Sequence, residues 1–207
     1  MESGRIYKQI KFLIEADKLK EIYRRTYLQD GSRRENSAEH SWHIALMAII
    51  LNEYTIEPVN INHVLMLLLI HDMVEIDAGD TYCYDMDAEQ DRAWREKLAA
   101  ERLFSILPDD QSLLIRKLWE EFEMGETPEA HFAIAMDRLM PLLLNYANKG
   151  KSWKENGISV NQVMARVRTL KASSPFLWEF AVGLIGDAVE KGFFSHNPNR
   201  RQSRRFF

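Results

Sequence analysis

The run Val64-Leu-Met-Leu-Leu-Leu-Ile70 constrains this chain more than any other segment. As a helix it is apolar on every side, so it calls for protein all round it. It is also far shorter than the ~20 residues a membrane-spanning helix needs. His71 and Asp72 follow without a break, and Glu75 lies one turn further on. At ~100° per residue, Glu75 projects between the His71 and Asp72 directions. Burying a carboxylate without a partner costs several kcal/mol or forces it to take up a proton. A fold that accepts this segment must therefore supply a compensating charge.

The rest of the chain reads as successive helices joined by short polar turns, with no sustained β-alternation. Helices are expected near 4–15, 18–28, 37–54, 61–76, 87–106, 109–124, 128–148, 159–171 and 174–191. Asn36 or Ser37 can cap the third of these, with Glu39 placed to complete a capping box from Asn36. Thr127-Pro128-Glu129 and Ser174-Pro175 are further helix starts, each with proline at the first helical position. Gly79, Gly125, Gly150 and Gly157 mark breaks. The polar connection Lys149–Gly157 is too short to separate two domains. The expected fold is all-α, one compact helical domain over 1–195, followed by a tail at 196–207.

Two more helices carry an ionisable residue on an apolar face. His40 falls at the centre of the stripe formed by Ile44, Met47 and Leu51, while His43 sits at its edge. Asp137 shares its face with Ala130, Ala133, Ile134, Met140, Pro141 and Leu144. Pro141 has no N–H to offer the carbonyl of Asp137, so a bend is expected there. Alone, His40 fits an ordinary core histidine, and Asp137 fits a buried acid paired with Arg138 or Arg166. Together, two histidines and two aspartates from three helices form a mixed nitrogen and oxygen set. Such a set suits Mn, Fe, Co, Ni or Zn as a divalent ion, whose charge would let the acids stay ionised.

Bulk properties narrow the class. The 207 residues are 46% hydrophobic and 28% charged, as in a globular protein with a real core. A net charge of −4 argues against a general nucleic-acid binder. The exception is the tail HNPNRRQSRRFF, with four arginines and no acid, expected to be a disordered, solvated terminus. One cysteine, Cys83, and no apolar stretch of a secretory signal at the N-terminus fit a cytoplasmic protein.

The order His40, His71-Asp72, Asp137 resembles the H…HD…D signature of the HD-domain metal-dependent phosphohydrolases. The flanks Arg33-Arg-Glu-Asn-Ser-Ala-Glu-His40-Ser, Ile70-His-Asp-Met-Val-Glu75 and Ala78-Gly-Asp80 narrow it to the HD-type 5′-nucleotidases and their HD domain-containing protein 2 relatives. Trp119-Glu-Glu-Phe-Glu123 and Thr127-Pro-Glu-Ala130 look like the same subgroup. The resemblance spans residues 18 to about 148. A bare His-Asp pair would say little; the spaced set with SAEHS and HDMVE is specific.

The resemblance implies removal of the 5′-phosphate from nucleoside or deoxynucleoside monophosphates. His40, His71, Asp72 and Asp137 would hold one divalent metal ion (Mn, Fe, Co, Ni, Zn or Mg), and Glu75 would be the acid/base beside it. Asp80 would face the sugar or help hold the site. Arg25 resembles the arginine that meets the 5′-phosphate. Some family members follow that arginine with a tryptophan that excludes a ribose 2′-hydroxyl. Here Thr26 and Tyr27 follow, so a deoxynucleotide preference is not implied. Tyr82 and Tyr84 stand where they could line the pocket mouth, and the five tryptophans read as core or interface. The alternatives are an HD hydrolase of triphosphates, cyclic nucleotides or alarmones, and a non-catalytic helical scaffold around a structural ion. A homodimer is expected, with the apolar segment Phe176–Leu184 as an interface.

Overall fold

The computed structural model describes residues 2–195; the basic tail lies outside the described residues. The helices are α1 (Glu2–Ala16), α2 (Ser37–Leu51), α3 (Ile61–Ile70), α4 (Glu75–Ala78), α5 (Met86–Glu89) and α6 (Arg92–Phe104). They continue with α7 (Asp109–Met124), α8 (Pro128–Ala147), α9 (Lys151–Glu155), α10 (Val160–Val167), α11 (Leu170–Ser173) and α12 (Pro175–Glu190). Among the described residues no helix is long and apolar enough to cross a membrane.

The caps act as their chemistry dictates. Asn36 accepts the Glu39 N–H while the Glu39 carboxylate accepts the Asn36 N–H, closing a capping box at the start of α2. Thr127 and Ser174 each accept a backbone N–H three residues on, ahead of Pro128 and Pro175. Gly125 ends α7 at φ +62°, a conformation that strains any residue with a Cβ. The chain α8 runs through Pro141 as one helix.

The expected helix over 18–28 is not there. A 3₁₀ turn at Asp17–Glu21 leads into strand β1 (Tyr23–Tyr27), which pairs antiparallel with β2 (Arg34–Asn36). Aromatic and β-branched residues at Tyr23, Thr26 and Tyr27 favour the pleat. Docking completes it: the Asn148 side chain at the end of α8 donates to the Leu28 carbonyl at 2.7 Å. Three other helices divide: the expected 87–106 helix becomes α5 and α6, with a turn between Glu89 and Arg92. The expected 61–76 helix tightens into a 3₁₀ turn over His71–Val74 between α3 and α4, and the expected 159–171 helix becomes α10 and α11. The polar connection Lys149–Gly157 contains α9, pinned by Trp153, which stacks on Phe194.

Two apolar clusters form the interior. The larger joins α2, α3 and α8 to the C-terminal helices through Ile44, Leu67, Leu68, Met136, Met140 and Leu170. The smaller gathers Phe12, Leu19, Met73, Val74, Leu103, Phe104 and Trp119. The His71–Val74 turn lies at their seam, with Leu67 and Leu68 in one cluster and Met73 and Val74 in the other. One expectation fails: α3 is not enclosed all round, because Met66 and Leu69 face outward. Of the tryptophans read as core or interface, Trp42 and Trp94 lie outside the core. A helix apolar on every side needs no more than one buried face when its other side meets no part of its own chain.

Candidate metal centre

Three buried helical segments deliver four side chains to one point. His40 comes from the first turns of α2 and is wholly buried. His71 and Asp72 come from the 3₁₀ turn after α3, and Asp137 from the middle of α8. His40 Nε2 lies 3.1 Å from Asp137 Oδ1 and 3.8 Å from Asp72 Oδ2. His71 Nε2 lies 3.0 Å from Asp72 Oδ1 and 4.0 Å from Asp137 Oδ1. Atoms each about 2.0–2.2 Å from a common ion stand at most about 4.4 Å apart, so these separations fit a shared ligand sphere. The donor atoms of His40, His71 and Asp72 all fall within 4.8 Å of one another.

The tautomer of His71 fits the same reading. Its Nδ1 lies 2.8 Å from the Leu68 carbonyl, which only a protonated Nδ1 can use. The buried Nε2 faces the centre, 3.0 Å from Asp72 Oδ1, and is the atom that would bind an ion in place of its proton. A backbone carbonyl that orients a metal-binding imidazole does so in this way.

The guanidinium that reaches these acids belongs to Arg24. Its Nη1 donates to Asp72 Oδ2 at 2.6 Å and lies 3.8 Å from Glu75 and 3.9 Å from Asp80. Its Nη2 lies 3.8 Å from Asp137. Arg25, expected from the family resemblance to meet the phosphate, stands at the rim, 6.0 Å from the centroid of the Tyr82 ring. Strand alternation explains the exchange: Arg24 shares the inward face of β1 with buried Thr26, and Arg25 does not. Glu75 is buried, and its Oε2 accepts a 2.6 Å hydrogen bond from the Ser37 hydroxyl. An open cavity spans Arg24, His71, Asp72, Asp80 and Asp137 and includes Tyr82 and Tyr84 at its wall. His43 is half-buried at the stripe's edge, apart from this group.

The sequence pattern of the HD domain family matches residues 16–178. The chain belongs to the HD-domain family. It is similar to a solved structure of a "predicted metal-dependent phosphohydrolase" from Magnetospirillum magnetotacticum MS-1, with TM-score 0.88, 48% identity, and 92% of this chain and 96% of that one covered. An HD-domain phosphohydrolase from Listeria innocua shares the fold at TM-score 0.63 and 18% identity, over 87% of this chain and 85% of that one. The chain is also similar to 5′-deoxynucleotidase HDDC2 of Xenopus laevis (29% identity) and of Homo sapiens (27%), with 65% of this chain aligned to each. The aligned segment spans 66% and 65% of those relatives' own lengths, just under two thirds.

Electrostatics in this HD-domain centre divides its titratable groups. Burial disfavours a charged His40, and Arg24 adds to it, so the imidazole falls to about 4. Burial also opposes charge on His71, but Asp72 and Asp137 outweigh it and lift that imidazole to about 9. Burial alone would raise Asp72; His71 and Arg24 instead hold it well below the usual carboxylate range. Glu75 goes the other way, driven well above that range by burial and by Asp72. Glu35, buried on β2, rises to about 8 through burial, partly offset by Arg24. Arg24, Ser37 and Glu35 escaped sequence reasoning as site residues. For Arg24, reading Tyr23–Tyr27 as a strand would have supplied the signal.

Proposed function

We propose that this chain is a metal-dependent phosphomonoesterase that removes the 5′-phosphate of nucleoside monophosphates in the cytoplasm. The observation that carries the reading is the convergence of His71 Nε2, His40 Nε2 and the Asp72 and Asp137 oxygens at one buried point beside an open cavity. These four would be the ligands. A divalent ion bound there lowers the pKa of a coordinated water and neutralises phosphoryl charge.

The chain's own residues supply the rest. Arg24, held among Asp72, Glu75, Asp80 and Asp137, is placed to swing its planar fork from these acids to a phosphate. Asp80 would keep that guanidinium in place when no phosphate is bound. Ser37 fixes one oxygen of Glu75, leaving the other to exchange a proton with water or the departing nucleoside oxygen. Two carboxyl groups with opposed pKa shifts, Asp72 down and Glu75 up, are the arrangement from which acid/base roles are read. A spare, proton-holding carboxyl weighs against a purely structural ion.

The test is the metal-loaded protein against a panel of ribo- and deoxyribonucleoside mono-, di- and triphosphates, cyclic nucleotides and alarmones. Phosphate release from monophosphates with intact di- and triphosphates is expected. Release of pyrophosphate from triphosphates, or turnover confined to cyclic nucleotides or alarmones, would replace this reading with one of the other HD hydrolases.

We also propose a homodimer built on α2 and α3. Both helices pack on each other and on α8, and we read their outer sides as one face. That face leaves Trp42 65%, Leu46 43%, Ile49 53%, Ile50 63%, Met66 42% and Leu69 52% exposed. Together they present apolar area on the order of 600 Å², at the top of what a monomer leaves bare and most of one partner's share of a standard interface. A second copy supplies an equally apolar surface and completes the enclosure that α3 lacks. The α12 segment Phe176–Leu184 is a weaker candidate, since the Phe176 ring already stacks on Tyr54. Sedimentation should give a wild-type dimer and an Ile49→Asp monomer; a monomeric wild type at micromolar concentration overturns the interface.

A further inference from the structure

Five arginines line the cavity: Arg24, Arg25, Arg92, Arg138 and Arg166. Their partners differ. Arg24 is surrounded by acids, and Arg92 donates to Glu96 at 2.7 Å and to Glu123 at 3.3 Å. Arg25 lies at the rim beside Tyr82. Arg138 has no acid within ion-pairing distance among the described residues, and its buried Nε has no hydrogen-bond partner. Arg166 reaches only Asp137, with Nη2 a loose 3.7 Å from Oδ2.

Both side chains are partly buried and line the cavity, and the acids of the described residues do not saturate them, so this side of the cavity suits a negative group supplied from outside. The Asp137 carboxylate shows where that group sits. Its Oδ1 faces the two imidazoles and Arg24, while Oδ2 faces Arg166. Arg166 is therefore one carboxylate's width from the centre. Arg138 and Arg166 both line the cavity that opens onto this centre. Arg138 follows Asp137 directly on α8, and Arg166 sits on α10.

We propose that Arg138 and Arg166 form an anion seat that grips the substrate's non-bridging phosphoryl oxygens, alongside Arg24. This rests on the phosphomonoesterase reading for the identity of the ligand, and on the orphan Arg138 Nε and the loose Arg166–Asp137 pair at the cavity wall for the existence of the seat. Planar forks suit phosphate oxygens better than a point charge does. Such a seat would favour a terminal, doubly charged phosphate over a diester, which offers fewer anionic oxygens.

The test is calorimetric titration of inorganic phosphate into the Mn²⁺-loaded protein, which needs no turnover. Arg138→Met and Arg166→Met keep much of the aliphatic bulk and remove the charge. Each should weaken phosphate binding about ten-fold or more, as loss of a charge-assisted hydrogen bond does, with metal stoichiometry unchanged. Arg138→Lys should recover only part of it. Wild-type phosphate affinity in the double variant, with metal retained, overturns the seat. Loss of metal in Arg166→Met overturns it too, because Arg166 would then be a support for Asp137. If phosphate binding depends on both arginines but no monophosphate is hydrolysed, the seat stands and the phosphomonoesterase reading falls. If monophosphates are hydrolysed and phosphate binding ignores both arginines, the reading stands and the seat falls.

Discussion

Asp137→Ala should purify without its divalent ion and lose at least about a thousand-fold in phosphatase rate, the equivalent of several kcal/mol of transition-state stabilisation. Two losses combine in that one change. The carboxylate is a ligand candidate, with Oδ1 3.1 Å from His40 and 4.0 Å from His71. It is also the group that offsets the buried charge around it: burial would raise its own pKa, yet His40 and Arg166 hold it well below the usual range. Without it, His40 loses its hydrogen-bond partner, and Arg24 and Arg166 each lose an acid. His71→Ala should behave in the same way, because it removes the Nε2 that faces Asp72 and Asp137 at the centre. Elemental analysis and nucleotide assays on the same preparation decide the matter. A variant that keeps a full complement of metal and full turnover would end the metal-centre mechanism.

Glu75→Gln should separate binding from chemistry. Glutamine keeps the shape and still accepts the Ser37 hydroxyl, but it cannot exchange a proton. Metal content should match wild type while kcat falls about 10²–10⁴-fold, the usual worth of general acid–base catalysis. The pH profile supplies an independent reading. Burial and Asp72 raise the Glu75 pKa, so its acid form persists at pH values where an ordinary glutamate is ionised. If that acid form donates to the leaving oxygen, wild-type turnover declines as pH rises through this pKa, and the residual activity of Glu75→Gln lacks that decline. Loss of metal together with turnover would instead make Glu75 a ligand or a fold determinant.

Much of this centre was legible before folding was considered. Helical periodicity placed His40 and Asp137 on apolar faces, and both prove to point into the interior beside His71 and Asp72. The capping box at Asn36 and Glu39 and the proline starts at Pro128 and Pro175 are local chemistry, readable from three or four residues each. Arg24 was not legible as a site residue. Choosing between Arg24 and Arg25 needs the alternation of a strand, and Tyr23–Tyr27 becomes a strand because it pairs with Arg34–Asn36 and docks on α8. Pairing partners lie outside any local window, so helical and extended readings of such a short segment stay balanced until the tertiary contacts exist. The same limit governs α3. Its composition demands apolar neighbours on every side, but composition does not say whether they come from the same chain.

The amino-acid sequence alone determined the helical class, most helix starts, the inward direction of His40 and Asp137 and the need for a counter-charge beside His71-Asp72, because each depends on periodicity, capping or burial cost within one segment. The tertiary structure alone decided which arginine enters the centre, that Ser37 holds Glu75, that Arg138 is left without an acid, and which face of α2 and α3 stays bare. Those outcomes turn on distances between segments far apart in the chain, and only the packed core sets such distances.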